Sequence, residues 1–303
     1  MYIFAAQFLT KHQKVELNFG MKHGLVLEGG ALRGLYSAGI MDVMIEEGIG
    51  FDGLVGVSAG AAFGCNMKSR QIGRSLRYNQ RFAKDWRYCS FRSWVRTGDL
   101  FGAEFAYHTM PNELDVFDNE TFERNPMKYW VVATDVETGE AVYKQIECGG
   151  DVAFEWIRAS ASMPLCSRVV ELEGHRLLDG GVSDSIPLLF MQQQGYQKNV
   201  VVLTQPADYL KGKNKFLPLM RISNLRKYPR FIQAMANRHY MYNAELELVW
   251  REERAGRAFV FRPKQALPIG HISHDPAEMQ VVYDIGREDA KRRLQELREF
   301  LQS

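Results

Sequence analysis

The run Gly53-Leu54-Val55-Gly56-Val57-Ser58-Ala59-Gly60-Ala61-Ala62-Phe63-Gly64 decides how this chain is read. Its first five residues are apolar and partly β-branched, as a short buried strand requires. The small residues from Ala59 onward suit a helix packed close to a sheet. Gly56-Val57-Ser58-Ala59-Gly60 matches G-x-S-x-G, the pattern that sets a serine on a strained turn between strand and helix. Gly56 and Gly60, two residues either side, let the chain bend without Cβ clashes and expose the hydroxyl above the sheet. Such a short pattern also arises by chance in a plain Gly/Ser turn, so its neighbours must carry the argument.

Upstream, Gly24-Leu25-Val26-Leu27 opens a strand over 24–28, followed by Glu28-Gly29-Gly30-Ala31-Leu32-Arg33-Gly34 and an amphipathic helix over 34–47. Acyl transfer creates an oxyanion, and a Gly-rich turn at a helix N-terminus supplies preorganised N–H donors and a favourable dipole. The competing reading is a dinucleotide-binding turn, since Gly29 and Gly34 fit the ends of G-x-G-x-x-G. Ala31, however, occupies the middle glycine, and about 20 residues later the chain runs through Phe51-Asp52 into the serine elbow. Downstream, Asp179-Gly180-Gly181 follows a strand, His175 to Leu178. A serine hydroxyl needs a base, usually histidine. A carboxylate in a poorly solvated pocket can also serve, because burial raises its pKa. Taken alone, Asp-Gly is equally a favoured turn dipeptide.

Strands and helices alternate through the rest of the first two thirds. Tyr129 to Asp135 and Ala141 to Ile146 read as strands, and Asp151 to Ser162 as a helix stopped by Pro164. Arg168 to Leu172 and His175 to Leu178 read as a hairpin, residues 186–194 as a helix, and Asn199 to Thr204 as a strand. This order predicts an α/β fold with a largely parallel central sheet. Beyond Pro206 come a basic irregular stretch, a long helix near 229–254, a short strand at Ala258 to Phe261 and a terminal helix near 276–301. The expected division is an N-terminal extension (1–20), a catalytic domain (21–208) and a mainly helical C-terminal region (209–303).

Hydrophobic residues at 46% and charged residues at 24% are ordinary for a folded chain and exclude disorder. Cys65, Cys89, Cys148 and Cys166 show no C-x-x-C pair, so reduced, buried thiols are expected rather than disulfides or zinc. Spaced carboxylates for calcium are also missing, and no metal or cofactor is expected. Met1 to Leu9 is too short to span a bilayer and lacks the basic flank of a signal peptide. The expected setting is the cytoplasm, with peripheral contact at the inner face of the membrane.

The Gly-rich loop with Arg33, the serine elbow and the distant Asp-Gly-Gly, in this order, resemble the patatin-like phospholipase family. Arg158-Ala-Ser-Ala-Ser-Met-Pro164 is similar to that family's Ser/Ala-rich helix end, and the match spans roughly 24–205. Arg238-His239-Tyr240 and Tyr242-Asn243 resemble the C-terminal part of bacterial members. The resemblance implies a three-layer fold and a Ser–Asp dyad, with Ser58 as nucleophile and Asp179 as base. It implies an oxyanion hole at Gly29, Gly30 and Ala31, supported by Gly34, Gly56, Gly60, Gly180 and Gly181. The implied activity is hydrolysis of phospholipid or other lipid esters through an acyl-enzyme. Many members carry a third glycine where this chain has Ala31, which disturbs the hole only if that position needs a positive φ.

Two alternatives stay open. One is a Ser-Asp-His esterase using His271 or His274; the other is a catalytically silent lipid-binding or interaction protein on the same scaffold. His108, His175 and His239 have no motif around them and read as packing or surface residues. The near-zero net charge of +2 hides clustering: nine Lys/Arg and only Asp85 lie between Lys68 and Arg96, and eight Lys/Arg with no acid lie between Tyr209 and Ala244. Arg70, Arg74, Arg77, Arg81 and Lys84 recur at helical spacing, so Arg74, Arg77 and Arg81, with Arg33, are candidate contacts for anionic lipid. A solvated helix face explains the same spacing. No motif supports nucleic acid as a partner.

Overall fold

Alternate residues of the central strands face opposite ways, and both faces are apolar. In β1 (His23–Leu27), Leu25 and Leu27 join one buried cluster and Val26 another. In β2 (Gly53–Val57), Leu54 faces the first cluster while Val55 and Val57 face the second. Strands that are apolar on both sides must be covered on both sides, which produces a three-layer α/β/α sandwich. The computed structural model describes residues 20–303; of the expected extension at 1–20, all but Gly20 lies outside the described residues.

The remaining strands are β3 (Lys128–Asp135), β4 (Ala141–Gln145), β5 (Val170–Leu172), β6 (His175–Asp179), β7 (Lys198–Val202) and β8 (Ala258–Phe261). They form one sheet in the order β5-β6-β3-β2-β1-β7-β8, with β4 paired to β3 beside that path. The five-strand run from β3 to β8 is parallel, and β4, β5 and β6 add antiparallel pairs. Val57 of β2 pairs with Val132 of β3, and Asp179 at the end of β6 pairs with the next residue of β3, Ala133. This register brings the residue after Val57 and the end of β6 to one place over β3.

Helix α1 (Gly34–Glu46) returns from β1 to β2. Between β2 and β3 come α2 (Ala59–Lys68), α3 (Arg74–Phe82), α4 (Phe91–Thr97), a π-helical segment (Phe105–Leu114) and α5 (Asn119–Arg124). Then follow α6 (Asp151–Ala161), α7 (Leu188–Gln193), α8 (Leu217–Ile222), α9 (Pro229–Arg254), α10 (Pro276–Arg292) and α11 (Leu294–Gln302). Two sequence expectations change here. The terminal helix is interrupted at Arg293, and α1 is buried from Gly34 to Ile45 rather than amphipathic.

The burial of α1 has a cause in the last residues of the chain. Helix α10 lies on its outer face so closely that a Cβ at Gly39 would come within 2.2 Å of the Tyr283 carbonyl oxygen. A Cβ at Gly286 would come within 2.1 Å of that of Tyr36. Tyr36 donates to Asp289 at 2.8 Å and Tyr283 to Asp42 at 2.6 Å across the same seam. The mainly helical C-terminal region therefore also supplies edge strand β8 and the cover of α1.

Candidate active site

Ser58 follows β2 with φ +55° and ψ −119°, a conformation that a non-glycine residue holds only when its surroundings enforce it. The enforcement comes from close packing: a Cβ at Gly60 would lie 2.4 Å from the Leu27 carbonyl oxygen, so helix α2 can start only against a bare backbone. The Ser58 N–H donates to the Ser160 hydroxyl on α6 at 2.8 Å, fixing the turn from the other side.

The Gly-rich turn passes directly over this serine, because a Cβ on Gly29 would lie 3.0 Å from the Ser58 Cβ. Glu28 anchors the turn: its carboxylate accepts from the Thr204 N–H at 2.6 Å and from the Tyr242 hydroxyl at 2.6 Å. Among the described residues, no hydrogen bond engages the N–H groups of Gly29, Gly30 or Ala31. Ala31 adopts φ +49°, so the condition attached to its missing glycine is met and this position carries strain. The N–H of Ala59, first residue of α2, also has no hydrogen-bond partner among the described residues and is a further donor that the motif reading omitted. Its signal was the elbow itself, since the residue after such a serine opens a helix.

Asp179 is held by three bonds. Its N–H donates to the Ser162 carbonyl at 2.9 Å, its carbonyl accepts from the Thr134 hydroxyl at 2.8 Å, and its Oδ1 accepts from the Gly181 N–H at 2.8 Å. Burial pushes its carboxyl above the usual range. Arg238, a hydrogen bond from Ser58, the Gly181 N–H and Lys211 pull the other way. The structure thus brings Ser58 and Asp179 to the wall of one cleft, with the serine hydroxyl near enough to act on the carboxyl. No described histidine bonds to either residue. His271 Nε2 lies 3.2 Å from an Arg33 nitrogen, His274 bonds to the Ala83 carbonyl at 2.6 Å, and His108 and His175 face Glu155 and Asp135.

Two spaces meet at Ser58. On one side is an apolar cavity of about 90 Å³, walled by Leu32, Phe63, Tyr78, Met110, Phe154 and Ile157 among others. On the other is a wider cleft of about 740 Å³ lined by Asp179, Arg33, Lys211 and Arg238. Ser58, Ala31 and Met163 border both.

The expected basic stripe is corrected at Arg74, which is buried with its Nε 3.1 Å from Asp115 Oδ1 and a further bond to Asn66, so its charge does not face a bilayer surface. Arg77 pairs with the same carboxylate at 2.7 Å and Arg81 donates to the Leu114 carbonyl, yet both residues stay exposed. The partner, Asp115, lies about 40 residues downstream, beyond the reach of a spacing argument. The thiols also differ from expectation: all four are free, but only Cys65 and Cys89 are buried, and Cys148 is exposed.

Residues 25–191 match the family model "Patatin-like phospholipase", and residues 228–302 match "Domain of unknown function (DUF6363)". Among curated proteins the chain is similar to Lysophospholipase NTE1 of Candida glabrata, 28% identical over 295 residues that cover 92% of this chain and 16% of that one. It is also similar to the uncharacterized protein YjjU of Escherichia coli, 30% identical over 201 residues, or 61% of this chain and 52% of that one. The chain therefore spans about half the length of the bacterial relative and far less of the yeast one. Among solved structures, VipD from Legionella pneumophila aligns with a TM-score of 0.44 at 12% identity, covering 91% of this chain and 67% of that chain.

Proposed function

Because the chain belongs to the patatin-like phospholipase family, we propose that it hydrolyses acyl esters of lipids, with Ser58 as nucleophile and Asp179 as base. One observation carries this reading: Ser58 stands where an apolar cavity meets a cationic cleft. That arrangement suits an ester with a hydrocarbon chain on its acyl side and a polar alcohol on the other. The printed name of the yeast relative, a lysophospholipase, supports a substrate with one acyl chain.

In this mechanism the Ser58 hydroxyl adds to the ester carbonyl while its proton passes to the Asp179 carboxylate. Negative charge moves to the carbonyl oxygen, which the N–H groups of Gly29, Gly30, Ala31 and Ala59 receive. The intermediate expels the alcohol, which takes the proton from Asp179, and the acyl group stays on Ser58. Water then loses a proton to Asp179 and adds to the acyl carbonyl. The fatty acid leaves as Ser58 recovers its proton.

Access to lipid is through the surface of an anionic bilayer. In support, α4 exposes Phe91 and Val95 beside Arg92 and Arg96, and residues around α8 expose Phe216, Leu219 and Ile222 beside Lys215 and Arg221. Both patches adjoin the cleft. Phe216 lines it, and the Trp94 indole donates to Leu165, which lies between the cleft residues Pro164 and Cys166.

A fluorophosphonate probe tests the dyad. It should label the protein at Ser58, fail on Ser58→Ala, and still label His271→Ala and His274→Ala. Hydrolysis of a short-chain ester should fall about 1000-fold or more in Ser58→Ala and Asp179→Asn. Loss of labelling in either histidine variant would restore the triad. A wild-type protein that neither takes the probe nor cleaves ester would be a silent lipid binder.

A further inference from the structure

Arg238, Tyr242 and Glu245 stand at i, i+4 and i+7 on α9, one face of a helix far along the chain from Ser58. Each grips a different part of the site. Arg238 Nε donates to the Gly181 carbonyl at 2.5 Å, while the N–H of the same glycine donates to Asp179 Oδ1 at 2.8 Å. No side chain fits between them: a Cβ on Gly181 would lie 3.0 Å from a terminal nitrogen of Arg238 and 3.1 Å from Asp179 Oδ1. Glu245 accepts from the N–H groups of Ser185 at 3.2 Å and Ile186 at 3.1 Å, and the Ser185 hydroxyl returns to the Gly181 carbonyl at 2.7 Å. Tyr242 donates to Glu28 Oε1 at 2.6 Å. Glu28 is buried, directly precedes Gly29-Gly30-Ala31, and takes the Thr204 N–H on its other oxygen.

The base and the oxyanion turn are therefore held from the same helix. The N–H groups of Gly29, Gly30 and Ala31 must stay unbonded to receive charge, so this turn is fixed through its neighbours instead. A misplacement of about 1 Å in such a site costs about 100-fold in rate. Five groups bear on the Asp179 carboxyl: Arg238 from α9, Lys211 from the loop after β7, the Ser58 hydroxyl, the Gly181 N–H, and the Tyr107 phenol of the π-helical segment. Burial raises this carboxyl, and Arg238 leads the groups that lower it. Lys211, brought down to about 8 by burial and by Arg238, titrates on the alkaline side.

We propose that α9 is the positioning helix of the active site, with Arg238 holding the base through Gly181 and Tyr242 holding the oxyanion turn through Glu28. This rests on the hydrolase reading above and adds residues to it. It gives a role to the segment 228–302, which lies wholly outside the 25–191 match.

The test follows hydrolysis of a short-chain ester across pH. Asp179 accepts a proton only when ionised, so kcat/KM falls as pH drops through its folded value. Arg238→Met leaves burial less opposed, and the acid limb should move up by about one pH unit while kcat falls about 100-fold. Arg238→Gln keeps a donor for the Gly181 carbonyl and carries the same limb prediction if Arg238→Met does not fold. Arg238→Lys keeps the charge but not the fork, and should return the limb while restoring only part of kcat. Tyr242→Phe should lower kcat about tenfold with KM and the limb unchanged. A limb that stays in place without the guanidinium, or a Tyr242→Phe kcat within about twofold of wild type, would overturn the proposal and leave the hydrolase standing. If wild type cleaves no ester, the hydrolase reading fails instead, and deuterium exchange decides the role of α9. Exchange should quicken several-fold over 179–186 in the Arg238 variants and around Glu28 and Thr204 in Tyr242→Phe. Unchanged exchange at either turn would overturn it.

Discussion

At the scale of single residues, the site depends on two backbone conformations that side chains normally avoid. Ser58 at φ +55° has a compensating role, since its turn aims the hydroxyl toward Asp179. Ala31 at φ +49° has no visible compensation. A left-handed alanine costs roughly 1–2 kcal/mol, part of which a glycine gives back through its more flexible unfolded chain. Ala31→Gly should therefore raise stability by about 0.5–1 kcal/mol, read as a higher urea midpoint at unchanged slope. A lower midpoint would mean that the alanine methyl packs usefully against the cavity. Ser58 and Asp179 were legible because each lies in a short motif. The anchors Glu28 and Ser160 were not recognised as such, because their partners Thr204, Tyr242 and Ser58 are 102 or more residues away.

At the scale of elements, the parallel strands were readable because each is a short apolar run bounded by turn residues. Residues 85–127 were not, for physical reasons: α4 and α5 are only 7 and 6 residues long, and Pro111 interrupts the π-helical segment. Pairing between elements also hides titratable groups. Asp184, after β6, and Glu245, on α9, are hydrogen-bonded to each other, and the Tyr143 hydroxyl donates to Asp184 at 2.5 Å. Burial raises both carboxyls. The folded chain therefore holds protons that an unfolded chain releases above a pH of about 4. The pair's contribution to stability is fully present below that pH and is lost as pH rises through the raised folded values. In Glu245→Gln the decline in melting temperature between pH 5 and pH 8 should be shallower than in wild type. An equally steep decline would assign the pH dependence to other groups.

At the scale of the whole molecule, the net charge of +2 conceals a directional surface. Phe216 lines the cationic cleft and Trp94 of α4 is bonded to Leu165 beside it, so the proposed contact with lipid would draw on charge and apolar area together. Vesicles rich in anionic lipid should bind the protein more tightly than neutral ones, and rising salt should weaken that binding. Phe91→Ser with Val95→Ser should reduce sedimentation with vesicles several-fold while leaving fluorophosphonate labelling intact. Undiminished binding would move the contact elsewhere. No helix among the described residues is long and apolar enough to cross a membrane. The close fit of α10 on α1 has a consequence in time. During synthesis, α1 emerges about 240 residues before the helix that shields its outer face. The nascent chain must hold that apolar face exposed, or in a helper's keeping, throughout that interval.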